Sequence, residues 1–127
     1  MENKQHIYTE AKAQFEVSEE MRLCIQNCLD CAKACTLLIP HCLSLGGAHA
    51  TKEHISLLSS CSLICNTSAK LMVFDSDFHH DLCKICAEIC NQCADDCDEI
   101  GGSDSMMFDT ADICRRCADS CERMASH

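Results

Sequence analysis

The stretch Cys83-Lys-Ile-Cys86-Ala-Glu-Ile-Cys90-Asn-Gln-Cys93-Ala-Asp-Asp-Cys97 carries five cysteines that step by 3, 4, 3 and 4 residues. That is the a/d beat of a helix whose seam faces other helices. Lys84, Glu88, Asn91, Asp95 and Asp98 fall on the opposite face, where water can solvate them. Disulfide frameworks and zinc knuckles place cysteines in loops and do not keep helical time over five residues.

Working outward, the same beat recurs. One segment reads Cys24, Cys28, Cys31, Cys35, Leu38, Cys42, and another reads His54, Leu58, Cys61, Cys65, Ser68, Met72. The last reads Met107, Thr110, Cys114, Cys117, Cys121, Met124. All 15 cysteines of the 127-residue chain lie on these four stripes. Ile25, Leu29 and Ala32 flank the first stripe, and Leu82, Ile85 and Ile89 flank the third, placed to seal helix against helix.

Breakers separate the segments. Ser18 before Glu19-Glu20 is a helix start and Gly46-Gly47 a stop; Thr51 is a second cap; Asp75-Ser76-Asp77 reads as a break followed by a cap; Gly101-Gly102 is another stop. The expected helices span about 18–45, 51–73, 77–99 and 103–124, with residues 1–17 as a tail or short extra helix and 18–127 as one domain. Short connections make neighbours antiparallel. The predicted fold is all-α, an up-down-up-down four-helix bundle with a cysteine-lined core. Pro40, late in the first segment, is expected to kink or loosen its last turns.

Composition narrows the function. A formal charge of −10 repels nucleic acid and anionic membrane. The amino-terminal residues carry no apolar core of a secretory signal, and uninterrupted apolar runs such as Leu71–Phe74 are too short to span a bilayer. A cytoplasmic location follows as an expectation, and there thiols stay reduced. An odd number of cysteines cannot close entirely into internal disulfides. No Ser-His-Asp set, phosphate-cradling glycine loop or paired catalytic carboxylate is present, so no enzyme is expected.

Thiols on four inward stripes make a tube walled with sulfur. Residues 24 to 42 span about 27 Å at roughly 1.5 Å per residue, enough for a row of sites. Soft thiolates select Cu(I), zinc or iron–sulfur clusters. The ferredoxin spacing is absent. Zinc in discrete four-thiolate sites carries two net negative charges per ion, which is costly to repeat in a dry core without cations. Cu(I) for H⁺ conserves charge, and two or three sulfurs suffice for it. The expectation is therefore many Cu(I) ions, about one per cysteine. The alternatives are a zinc or general soft-metal buffer, with about three or four ions, and a thiol redox or sensor protein. For the last, Cys83 is the candidate for a lowered pKa, near a helix start.

The arrangement resembles the bacterial copper storage proteins of the cytosolic kind, which are small cysteine-rich four-helix bundles. The resemblance rests on Cys24xxxCys28xxCys31xxxCys35, Cys61xxxCys65, Cys83xxCys86xxxCys90xxCys93xxxCys97 and Cys114xxCys117xxxCys121, and runs from about residue 21 to the C-terminus. It implies a bundle filled with Cu(I)–thiolate sites, usually a homotetramer, serving storage or detoxifying sequestration. A copper chaperone or a cuproenzyme is then the exchange partner.

Stripe positions without a thiol cluster toward the ends. His54 and Met107 are expected where copper is admitted, passing Cu(I) inward to Cys97 and Cys42, with the end near Met72, Met124 and Cys24 as the other candidate mouth. His41 is an occasional ligand at most. His79-His80 are expected in solvent, and His6, His49 and His127 in tails or loops.

Overall fold

The computed structural model describes residues 18–126; the expected tail over residues 1–17, with His6, and the terminal His127 lie outside them. Four helices follow one another: α1 (Glu19–Leu45), α2 (Lys52–Val73), α3 (His79–Gly101) and α4 (Ser105–Ala125), with a 3₁₀ turn at Gly47–Ala50. Each helix packs on its two neighbours in a square, α1 on α2 and α4, α3 on α2 and α4. The result is a four-helix bundle with no strand among the described residues.

Local chemistry sets the ends. Ser18 caps α1 by accepting from the Met21 N–H at 3.0 Å. Thr51 caps α2 through the His54 N–H at 3.2 Å. Asp104 caps α4 through the Met106 N–H at 3.1 Å. Each satisfies one orphan donor of a first turn. Gly46 and Gly47 turn the chain with φ of 71° and 56°, a region only glycine enters freely. The α2–α3 break differs from the expected cap at Asp77. Asp75 itself turns left-handed at φ 55°, and α3 begins at His79 without a side-chain cap. Ser76 supports that turn instead, accepting from the Phe78 N–H at 3.2 Å. α1 continues through Pro40 to Leu45.

All four stripes face inward. Every cysteine is buried. The seal between helices is only in part the one expected from the flanking residues: Ala32 is buried, and Ile25 and Ile89 pack against the core. Leu29 and Ile85 stand in solvent. The second buried seam is instead small: Ala32, Ser62, Ala69, Ala87, Ala94, Ala111 and Ala118, each directly after a stripe residue. Small side chains there let the backbones approach, so thiols from facing helices can meet across the axis. Polar clamps fix the register: Thr36 to Ser62 at 2.6 Å between α1 and α2, and Asn27 to Ser120 at 2.6 Å between α1 and α4.

With its cysteines counted as apolar, α1 is long and apolar enough by composition to cross a membrane. Short uninterrupted runs therefore understate its hydrophobicity. In the fold its thiol face is buried against α2 and α4, while Leu23, Leu37 and Leu43 remain exposed.

Candidate metal centre

The cysteines are free thiols. Their sulfurs form five overlapping groups, in each of which all Sγ atoms lie within 4.8 Å of one another. Along the axis the groups run Cys24–Cys83–Cys121, then Cys28–Cys86–Cys117–Cys121, then Cys65–Cys86–Cys90–Cys117, then Cys31–Cys61–Cys65–Cys90, then Cys31–Cys35–Cys61–Cys114. Successive quartets share two cysteines, so an ion in one is bridged by thiolates to an ion in the next. The spacings are uniform: Cys28 to Cys121 is 3.5 Å, Cys65 to Cys90 is 3.5 Å, Cys61 to Cys90 is 3.7 Å and Cys31 to Cys114 is 3.5 Å.

Such sharing corrects the charge argument against zinc. The five groups contain twelve different cysteines, so five divalent ions would leave only two negative charges unbalanced. Charge alone does not separate zinc from copper in this core.

Burial and hydrogen bonding divide the thiols into two sets. Cys31 and Cys61 are both pushed down, chiefly by the contact with Cys114; Cys86 is pushed down chiefly by that with Cys117. Their neighbours move the other way: Cys35 is raised chiefly by Cys114, and Cys65 and Cys90 chiefly by Cys117. The physical cause is common. In a dry core, each S–H···S bond favours charge on one sulfur and opposes it on the other. A soft cation would take the place of those shared protons.

Cys83 does not fit the redox candidate. The bond with Cys121 lowers its pKa, but the bond with Cys24 and burial outweigh it, and the thiol is pushed up to about 12. The α3 start gives it no thiolate character.

The three remaining cysteines stand outside the groups. Cys93 and Cys97 continue the α3 stripe toward the end where α1 stops and α4 starts. Cys42, pushed up to about 11 by burial first and then by Asp104 and Cys93, lies there too. Its Sγ is 3.4 Å from His54 Nε2 and 3.7 Å from Met107 Sδ. His54 is fully inside, and its Nδ1 is 2.7 Å from Asp96 Oδ2. An ionised carboxylate only accepts, so Nδ1 carries the proton and Nε2 turns its lone pair toward Cys42. This carboxylate–imidazole pair orients a ring the way an outer partner orients a metal-binding histidine. Nothing in the sequence pattern marked Asp96, because it lies off the stripe.

Of the other histidines, His79 is the one placed against expectation. His41 and His49 both bind Asp104 Oδ2, at 2.7 and 3.2 Å. That holds the Asp104 carboxyl below the usual range, with His41 the main cause. His41 is thus committed to a helix cap and not to the thiol row. His79 is buried, contrary to the expected solvent position, while its neighbour His80 places Nδ1 3.0 Å from the Met124 carbonyl oxygen. Gly101 explains how Met107 reaches the core: a Cβ at that position would meet Met107 Cβ at 3.0 Å.

Comparison with known proteins bears on which ion this core holds. The family model described as copper storage protein matches residues 17–126. A cysteine-rich protein of Bacillus subtilis (strain 168), YhjQ, is 38% identical over 74 residues, covering 58% of this chain and 68% of the relative. The Cu(I)-bound copper storage protein BsCsp3 superposes with a TM-score of 0.75 at 34% identity, over 84% of this chain and 99% of that one. A cytosolic copper storage protein from Streptomyces lividans, determined with five coppers, gives 0.78 at 27% identity, over 86% and 94%. The chain belongs to the copper storage protein family.

Proposed function

We propose that this protein stores and sequesters Cu(I) in the cytoplasm, with all fifteen cysteines as ligands and a capacity of about one ion per thiol. The observation that carries the proposal is the unbroken overlap of the thiol groups, which makes one extended store instead of separate structural sites. Cu(I)-loaded relatives favour copper over zinc for that store. Each binding step exchanges a proton for a cation: a thiol loses H⁺, a sulfur–copper bond forms, and the core stays near neutral. Two or three sulfurs per ion are enough, so bridging thiolates serve neighbouring ions at once.

Copper is admitted at the His54 end. The ion first meets Cys42 Sγ, which has His54 Nε2 at 3.4 Å and Met107 Sδ at 3.7 Å, and then moves to Cys97 and Cys93. Neutral imidazole and thioether bind Cu(I) less tightly than thiolate, so an ion passes inward down a gradient of affinity. A copper chaperone or a cuproenzyme is the partner for exchange at this end. The chain works as a homo-oligomer, a reading supported by the exposed Leu23, Leu29 and Leu37 of α1 and Leu63 of α2.

The test is an anaerobic Cu(I) titration of the reduced protein against a competing Cu(I) chelator, followed by thiolate-to-copper ultraviolet absorption and repeated with zinc. Tight uptake of roughly one ion per cysteine is expected. A plateau at about four or five ions, with zinc displacing copper, would replace the store with discrete sites.

A further inference from the structure

The bundle has a second buried histidine, at the end away from His54. His79 opens α3 four residues before Cys83, so it continues the α3 stripe outward by one step and shares a helix face with that thiol. Only 7% of its surface is accessible. Its Nδ1 is shut off from solvent and has no hydrogen-bond partner; among the described residues no other buried side-chain nitrogen or oxygen is left so. Native folds avoid this arrangement, because a buried lone pair or N–H without a partner has lost water and gained nothing.

The thiol group that contains Cys83 at this end is the smallest of the row. Cys24, Cys83 and Cys121 form the terminal group of the row, and it is the one group with three donors where the other four have quartets. His80 is committed elsewhere, its Nδ1 being engaged by the Met124 carbonyl oxygen. Its ring lies against that of His79, with centroids 4.0 Å apart.

We propose that His79 Nδ1 completes the Cys24–Cys83–Cys121 group as a mixed imidazole–thiolate site for Cu(I), the last site of the row at this end. It rests on the storage reading above, because copper in the neighbouring thiols is what brings an ion to the ring. The ring binds through its lone pair as the Nε2–H tautomer and releases no proton, while each thiol that binds releases one. A neutral donor in place of a thiolate weakens the hold on the ion. The His79 site therefore exchanges its copper more readily than the quartets behind it and gives the row a second port.

The experiment is two-bond ¹H–¹⁵N spectroscopy of the full chain with ¹⁵N-labelled histidine, reduced and anaerobic, as Cu(I) is added. The His79 and His80 signals are assigned by their loss in His79→Ala and His80→Ala. His79 Nδ1 is expected to leave the range of an unliganded ring nitrogen as copper fills the protein, while His80 Nδ1 keeps its shift. Loading of the thiols, seen in the ultraviolet, with His79 Nδ1 unmoved would overturn the site and leave the store standing. Failure of the thiolate absorption to develop at all would overturn both. As a second readout, His79→Ala is expected to retain one ion fewer per chain against the competing chelator; full retention with unchanged release kinetics would also overturn the proposal.

Discussion

His54 and His79 occupy the outermost stripe positions of α2 and α3, at opposite ends of one row of thiols, and the fold treats them differently. His54 has both ring nitrogens engaged, Nδ1 by Asp96 and Nε2 by Cys42. His79 has a buried nitrogen with no partner. The first ring is oriented before any ion arrives; the second would gain its partner only with the ion. The same residue type at the same kind of position thus gives a preorganised end and an unsatisfied one. A stripe specifies that a side chain faces inward, and only the neighbouring helix specifies what it meets there.

The comparison can be broken most severely at the preorganised end. Replacing His54 by Ala together with Met107 by Leu is expected to slow Cu(I) loading, in stopped-flow absorption, by at least the roughly 10- to 100-fold that losing an outer metal partner costs. Total capacity should fall by no more than one or two ions. Asp96→Ala should reproduce a large part of that slowing with both ligands still present. An unchanged loading rate in both variants would remove the distinction between the ends.

Capacity separates the middle of the row from its ends. Cys90 belongs to two quartets, so Cys90→Ser should lose about one to two coppers while the helical circular dichroism stays as in the parent. Cys42 belongs to none, and Cys42→Ser should lose at most one while slowing loading. Collapse of the apo fold in Cys90→Ser would mean the thiols act as a packing unit and not as a series of sites.

The ends also differ in what they contribute to folding. Gly101 lies against Met107, so Gly101→Ala should destabilise the apo bundle by about 1–3 kcal/mol, the usual result of overpacking, read as a urea midpoint. Asp104→Ala removes the α4 cap and the shared partner of His41 and His49, and should cost about 1 kcal/mol.

The smallest effect is in the alkaline range. Cys42 is raised from 9.0 to about 11, so its protonated form is favoured by folding. The resulting stability is complete below pH 9 and is lost as pH rises through about 11. Serine does not titrate there, so the stability gap between parent and Cys42→Ser should narrow across that window. In the copper-loaded protein, where the proton is already gone, the narrowing should be absent.

Much of this was legible in the sequence because cysteine served as its own marker. A heptad of leucines would have given the bundle without the site; a heptad of thiols gives both together. The reading failed where a residue's role depends on the helix opposite. Leu29 and Ile85 looked like seals but are exposed, since the alanine seam beside the stripe brings the helices together. Zinc was disfavoured on charge as if its sites were separate, and the shared cysteines weaken that argument. His79 was placed in solvent because it lies at a helix start; it stands four residues before Cys83, and that register puts its ring on the buried stripe.

Four helices, their inward faces and the soft, many-sited chemistry of the core are written in the order of residues, because helical periodicity is local and thiols are chemically distinctive. Which sulfurs meet in groups, that Asp96 orients His54, and that His79 Nδ1 is left without a partner follow from the assembled bundle. Those depend on the register and approach of helices distant in the chain, which close packing fixes and local spacing does not record.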